Sequence, residues 1–354
     1  MKIALITDTH FGARSDSQQF DTYFKKFYEE VFFPELDKRG VQQIIHLGDC
    51  FDRRKYINFN SLKSCRQYFF DAIKQRNIYM DMIVGNHDTF YKNTNDVNSP
   101  DLLLGEYDNI HTYDRPTVNT YDTCKIVFLP WLCSDNWDEA QKIIKGTDAK
   151  VCFGHLEIAG FVMFKGQTVQ ESHDGLDPNM FDKFDLVCSG HYHHRHSKGK
   201  IHYLGNPYQM FWNDHEDPRG FHIFDTNTLQ MEFIENPYTI FEKYYYDDEK
   251  KDPKTVDTNI FANKLIKLVV VNKKDFVKFD QFVESIYSKD PIELKIIEDF
   301  SEFEAEAIDD SIDLEDTMTL LSNYVDSVET DSDKDRLKTL LRTLYIEAQH
   351  YEEA

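Results

Sequence analysis

Short β-prone apolar runs alternate with longer stretches of helical periodicity through the first two-thirds of the chain, and the apolar runs end on unusual polar residues. Lys2 to Thr7 is apolar and ends at Asp8, after which Phe20, Phe24, Phe27 and Val31 keep helical spacing across Phe20 to Phe33. Gln43 to Leu47 reads as a strand ending at Gly48-Asp49, Leu62 to Ile73 as a helix, and Ile78 to Val84 as a strand ending at Gly85-Asn86-His87-Asp88. Further strands are expected at Lys125 to Leu129, at Lys150 to Phe153 before Gly154-His155, and at Leu186 to Cys188 before Ser189-Gly190-His191-Tyr192-His193. Strands alternating with helices predict a sheet flanked by helices, with ligands bound at the carboxyl ends of the strands.

After His193 the runs Ile201 to Leu204, Gly220 to Phe224 and Leu229 to Ile234 are separated by turn-like segments such as Asn213 to Pro218, and predict a second, more antiparallel sheet. Between Tyr238 and Asp299 a strand (Leu265 to Val271), a helix (Phe279 to Tyr287) and a strand (Ile292 to Ile297) make a small β-α-β module, read as an attached cap. Residues 299–313 form an acidic linker of little periodicity. Beyond it, Leu314, Met318, Leu321, Val325 and Val328 keep one helical face, and Leu337, Leu340, Leu341, Leu344 and Ala348 keep another. Two amphipathic helices behind a linker predict either docking in a partner's groove or packing back onto the body. The expected division is thus 1–237, 238–298, 299–313 and 314–354.

Composition narrows the class. In 354 residues, 41% hydrophobic and 14% aromatic content excludes disorder for most of the length. No window approaches the ~18 uninterrupted apolar residues of a membrane span, and the longest run, Ile126 to Cys133, contains a proline. The N-terminal apolar run is too short for a secretory leader, so a cytoplasmic protein is expected. Six cysteines form no C-x-x-C pair, which reads as reduced thiols packed as filler.

The net charge of -23 at first argues against nucleic acid. Its distribution changes that reading: Glu298 to Asp333 holds 14 acidic residues and no Lys or Arg, leaving only -9 on the remaining 318 residues. Divalent cations at carboxylate-lined sites would offset more of it.

Five short motifs follow strands in order: Asp8-Thr9-His10, Gly48-Asp49-Cys50-Phe51-Asp52, Gly85-Asn86-His87-Asp88, Gly154-His155, and Gly190-His191-Tyr192-His193. Each alone is weak; together, Asp, Asn and His at the ends of strands of one sheet make a mixed oxygen and nitrogen ligand set suited to two divalent ions. The absence of cysteine argues against a structural zinc site, and manganese, iron or zinc at an open site fits better. Two metals ~3.5–4 Å apart need a bridging carboxylate, for which Asp49 is the natural residue, and can share a hydroxide while clamping the oxygens of a phosphate.

The five motifs match, residue by residue, the calcineurin-like metallophosphoesterase superfamily. The resemblance implies a four-layer α-β-β-α sandwich, here with a small α+β capping domain and C-terminal partner-binding helices. It implies one metal held by Asp8, His10, Asp49 and His193 and another by Asp49, Asn86, His155 and His191. It also implies that His87 faces the phosphate as general acid or transition-state stabiliser, oriented by Asp52. An imidazole held by a carboxylate keeps its tautomer and orientation for proton transfer.

Within the superfamily the chain resembles the SbcD-type nuclease subunits of double-strand-break repair complexes, in particular those of T-even bacteriophages. The added evidence is Val84 to Lys92, Phe153 to Phe161 and Tyr203 to Asp225, with the order of body, cap, acidic linker and terminal helices. One departure is Asp52, where the cellular repair nucleases often carry His. The resemblance implies a metal-dependent exonuclease on duplex DNA ends with endonuclease action on single strands, using Mn2+ or, second, Mg2+. It further implies a coiled-coil ABC-type ATPase partner gripped by the terminal helices, and a homodimer formed by helices near residues 60–75 and 90–110. Such a partner would supply much of the DNA grip, while Arg53, Arg54, Lys55, Arg195, Lys198 and Lys200 sit beside the metal motifs; Arg53 and Arg195 are the candidate phosphate contacts.

Blander readings stand beside these. His173, His194 and His196 read as surface histidines, since the motif positions already complete two sites. Trp131, Trp137 and Trp212 read as core, and Tyr244-Tyr245-Tyr246 as lining of the body-to-cap junction. A free-standing phosphomonoesterase or cyclic-nucleotide phosphodiesterase is the alternative function, but it would need neither cap nor terminal helices. A non-catalytic scaffold is disfavoured by the intact ligand set.

Overall fold

Alternation of side chains along the strands decides the architecture. The computed structural model describes residues 1–165 and 175–298, together with Val325, Lys334 and Leu337. The strands are β1 (Lys2–Ile6), β2 (Gln43–His46), β3 (Tyr79–Ile83), β4 (Ile110–Tyr113), β5 (Thr117–Tyr121), β6 (Cys124–Leu129), β7 (Val151–His155), β8 (Leu186–Gly190), β9 (His196–Lys198), β10 (Ile201–Tyr203), β11 (Gly220–Asp225) and β12 (Met231–Glu235). They form two six-stranded sheets, ordered β12-β11-β1-β2-β3-β4 and β5-β6-β7-β8-β10-β9.

Successive side chains of a strand point to opposite faces, and both faces of both sheets are covered. Ile3 and Leu5 of β1 meet Ile126 and Phe128 of β6, Val151 and Phe153 of β7, and Leu186 and Cys188 of β8 in one core between the sheets. Ala4 and Ile6 point the other way, into an aromatic core under the helical stretch Gln18 to Arg39 and the stretch Phe59 to Gln75. On the far side of the second sheet, Val127, Cys152 and Val187 pack on Ala140 and Ile144 of the helix Trp137–Gly146. The result is the expected α-β-β-α sandwich.

The expected separate sheet after His193 is not what forms. β10 joins the second sheet, parallel to β8, whereas β11 pairs antiparallel with β1 and carries β12 into the first sheet. The pairing of residues 2–5 with 222–225 is a contact of high sequence separation, to which local periodicity is blind. The second sheet instead starts at β5, and neither β4 nor β5 was expected from the sequence.

Met1–Ile296 forms one compact unit. β13 (Phe241–Asp247), β14 (Leu265–Asn272) and β15 (Glu293–Ile297) make a third sheet in that order. This sheet is covered by the helix Phe276–Tyr287 through Phe279, Phe282 and Ile286. The expected module lacked β13, which contains the three tyrosines: Tyr246 is buried in the core beneath this sheet and Tyr245 is exposed. The junction with the body is built instead by Trp212 on Phe241, with Lys267 over the indole, and by Gln209 Oε1, which accepts from the backbone N–H of Ile240 and Phe241. His173 lies outside the described residues, as do the linker and terminal helices expected at 299–354 apart from the three positions named above.

All six cysteines are free thiols, and Cys133 is the one not buried. No helix among the described residues is long and apolar enough to cross a membrane.

Candidate metal centre

The five motifs lie at the carboxyl ends of β1, β2, β3, β7 and β8, the first three in the turns that follow their strands, Gly154-His155 as the last two residues of β7, and the fifth running from the last residue of β8 into its turn. Parallel pairing in register, β1 with β2 and β2 with β3 in one sheet and β7 with β8 in the other, brings those ends together. The turns are tight: Asp8, His10, Asp49 and His191 all take positive φ, at 51°, 41°, 54° and 84°. Left-handed backbone at non-glycine residues is strained and concentrates at functional sites. Two glycines permit the close approach. A Cβ on Gly85 would lie 2.2 Å from Asp49 Oδ1, and one on Gly190 would lie 2.0 Å from Thr7 Oγ1.

Two clusters result, Asp8 with His10 and His193, and Asp49 with His155 and His191; in each, the ligand atoms lie within 4.8 Å of one another. In the first, His10 Nε2 is 3.2 Å from His193 Nε2, Asp8 Oδ1 is 4.0 Å from the latter, and Asp49 Oδ2 is 3.8 Å from the former. In the second, His155 Nδ1 donates to the Leu47 carbonyl at 2.7 Å, which aims Nε2 at Asn86 Oδ1 (2.9 Å) and Asp49 Oδ2 (3.1 Å). Asn86 Oδ1 also lies 3.0 Å from His191 Nδ1.

These are lone pairs converging on lone pairs, and such an arrangement calls for a cation. Without one, a proton serves: burial disfavours the charged imidazole of His155, but Asp49 beside it raises its pKa to about 9. Burial would likewise push the Asp49 carboxyl up, yet His155 and His87 hold it well below the usual carboxylate range. Burial, reinforced by the neighbouring His155, lowers His191 to about 3, leaving a neutral imidazole of the kind metal binding requires. The donor set of nitrogen and oxygen without sulfur fits divalent ions of intermediate hardness.

Supporting contacts fix the ligands. Thr7 Oγ1 donates to Asp8 Oδ2 at 2.7 Å, and the His191 backbone N–H donates to the same carboxylate. Asp88, quoted in its motif but given no role from sequence, accepts from the backbone N–H of Cys50, Phe51 and Gly85 and so ties two of the motif turns together. His87, half-buried at the rim, donates its backbone N–H to Asp49 Oδ1 at 2.8 Å. The expected orientation of His87 by the Asp52 carboxylate takes another form. The backbone carbonyl of Asp52 accepts from His87 Nδ1 at 2.7 Å, while the carboxylate lies 3.4 Å from His10 Nδ1.

Trp131, expected in the core, is half-buried with its ring centroid 5.2 Å from His191 and 6.2 Å from His155. The turn after β6 that carries it gave no motif signal. His194 is 2.8 Å from Asp217, and His196 Nδ1 donates to the His194 carbonyl. Arg53 pairs with Asp16 at 2.9 Å and lies over Tyr56. Arg195 is exposed and packs over Phe233 at 4.0 Å.

This fold and this centre are those of a family of metal-dependent phosphoesterases. The chain belongs to the calcineurin-like phosphoesterase family, whose model matches residues 1–195. It is 31% identical to exonuclease subunit 1 of Enterobacteria phage T4, over 98% of this chain and 99% of that protein. It is 24% identical to the SbcD subunit of the SbcCD nuclease of Staphylococcus saprophyticus over 260 residues, 65% of this chain and 67% of that one. Among solved structures, an archaeal phosphodiesterase matches over 67% of this chain and 100% of its own, at 14% identity and a TM-score of 0.33.

Proposed function

We propose that the chain is the nuclease subunit of a DNA recombination and repair complex and hydrolyses DNA phosphodiester bonds, as an exonuclease on duplex ends and an endonuclease on single strands. The observation that carries this reading is the pair of Asp/His clusters sharing one rim with His87. It is supported by likeness to a phage exonuclease subunit along nearly the whole chain.

Asp8, His10, Asp49 and His193 would hold one divalent ion and Asp49, Asn86, His155 and His191 the other, with Mn2+ the first expectation and Mg2+ the second. Such ions supply a hydroxide nucleophile at neutral pH and charge stabilisation on the phosphate oxygens. The protein's own part is positioning. A carbonyl only accepts, so the His87 contact with Asp52 keeps a proton on Nδ1, which assigns exchange with the leaving oxygen to Nε2. The Asp52 carboxylate, 3.4 Å from His10 Nδ1, would face it from behind, as carboxylates behind metal-bound histidines do. Arg53 and Arg195 are the proposed phosphate contacts.

The proposed partners are a coiled-coil ABC-type ATPase, bound through the C-terminal helices, and a second copy of the chain, in the cytoplasm, which is that of the host cell if the source is a phage. The SbcCD name of one relative and the charge distribution support the first. For the second, Phe59 and Leu102 are large apolar side chains 87% and 73% exposed in or beside the stretches 60–75 and 90–110, and exposed apolar side chains of this kind suit self-association.

The test is nuclease activity of the purified chain on linear duplex DNA with Mn2+, Mg2+ or chelator, beside His87→Ala and Asp49→Ala. Metal-dependent nucleotide release lost in Asp49→Ala and strongly reduced in His87→Ala is the expected result. Hydrolysis of a small phosphoester with DNA left intact, even with the ATPase present, would overturn the nuclease reading in favour of the phosphoesterase alternative.

A further inference from the structure

The stretch Tyr203 to Asp225 contains Gly205-Asn206-Pro207 and Pro218-Arg219-Gly220, to which the metal chemistry gives no role. Arg219 is 3% exposed and is the only buried arginine among the described residues. One terminal nitrogen, Nη2, donates to Asp214 Oδ1 at 2.6 Å and to Asp217 Oδ2 at 2.8 Å. The other, Nη1, donates to the backbone carbonyl of His193 and to Asn206 Oδ1. The His193 carbonyl also accepts the Asn206 backbone N–H at 3.3 Å. Gly205 makes that approach possible, because a Cβ there would stand 2.9 Å from both the His193 carbonyl oxygen and the Arg195 nitrogen.

The same hub reaches His193 by two further routes. Asp217 holds the side chain of the next residue, His194. Asp214 accepts from the backbone N–H of Met210 and Phe211, and the Phe211 ring lies parallel to the His193 imidazole at 6.2 Å. A guanidinium taken out of water costs several kcal/mol before its partners compensate, and hydrophobic replacements of buried ion pairs are often no less stable. Stability alone therefore accounts poorly for this arrangement, whereas its fork geometry suits the simultaneous holding of a carbonyl and two carboxylates.

The geometry points to Arg219 as a positioning residue that fixes His193 for the Asp8–His10–His193 cluster and leaves the Asp49–His155–His191 cluster to its own supports. This rests on the two-ion reading. In the other cluster His155 is held independently, by the Leu47 carbonyl.

The experiment is titration of the full metal-free chain with Mn2+, following stoichiometry by calorimetry and the spin-coupled two-manganese signal by electron paramagnetic resonance. Arg219→Lys keeps a charge for Asp214 and Asp217 but lacks the fork. In a variant that folds, by circular dichroism, the expected result is one ion bound with wild-type affinity and the other weakened about 10–100-fold, with a mononuclear signal at Mn2+ levels that saturate both wild-type sites. Excess Mn2+ should restore kcat on a small aryl phosphodiester. If Arg219→Lys fails to fold, Asn206→Ala, which leaves the buried charge pairs in place, must show the same one-ion defect in smaller degree. Wild-type affinity at both sites in the folded variant, or equal weakening of both, overturns the inference. A wild-type chain that takes up fewer than two ions overturns the two-ion reading beneath it.

Discussion

The His87 imidazole rests on the backbone carbonyl of Asp52, 2.7 Å from Nδ1. The carboxylate of the same aspartate faces a different histidine, His10, at 3.4 Å. One residue thus meets the proposed acid–base group through its main chain and a proposed metal ligand through its side chain, and substitution can separate the two.

His87→Ala is expected to lower kcat by about 10²–10⁴, the usual worth of a positioned proton donor, with Mn2+ stoichiometry unchanged. Asp52→Asn keeps the carbonyl and so keeps His87 in place; its expected defect is about 10–100-fold weaker Mn2+ binding, with most of kcat recovered at saturating metal. Paired kcat and metal titrations check this. A kcat loss in Asp52→Asn matching that of His87→Ala at saturating Mn2+ would assign the carboxylate to His87 after all.

Gly85→Ala would bring a methyl group 2.3 Å from the Asp49 backbone nitrogen as well as onto its carboxylate. A backbone atom cannot rotate away, so the turn must shift. Destabilisation of about 1–3 kcal/mol is expected from overpacking, with loss of metal-dependent hydrolysis even where the variant folds. Urea denaturation and a phosphodiesterase assay measure the two effects.

His222, buried on β11, has its pKa lowered to about 3 by burial, with Arg195 and His202 adding to the effect. The unfolded chain then binds a proton near the ordinary value of 6.5 that the folded chain refuses. The stability this provides is complete above about pH 6.5 and is lost as pH falls from there toward about 3. Between pH 7.5 and 5 the metal-free wild type should lose about 2 kcal/mol more than His222→Gln. Parallel acid limbs in denaturant titrations of the two proteins would refute this.

Leu102→Asp places a charge on the exposed face of the helix Ser99–Leu104, where Leu102 is 73% exposed. If that face joins two copies of the chain, the variant should sediment as a monomer under conditions where the wild type is a dimer, while hydrolysing a small aryl phosphodiester at the wild-type rate. A wild type that is itself monomeric at tens of micromolar would remove the basis for the proposed dimer.

What could be read along the chain was what is local. The 3.6-residue spacing of Phe20, Phe24 and Phe27 marked a helix that buries them, and the strand-ending motifs marked where ligands converge, because parallel strands in register bring their carboxyl ends together. The identities of Asp8, His10, Asp49, Asn86, His87, His155, His191 and His193 therefore named the candidate centre before any coordinates. Only the tertiary structure decided that β11 pairs with β1 in the first sheet, that Asp52 divides its two ends between His87 and His10, that Trp131 stands beside His155 and His191, and that Arg219 reaches back 26 residues to the His193 carbonyl. Each of these depends on backbone direction or on a contact between distant segments, and neither leaves a periodic trace in the order of the residues.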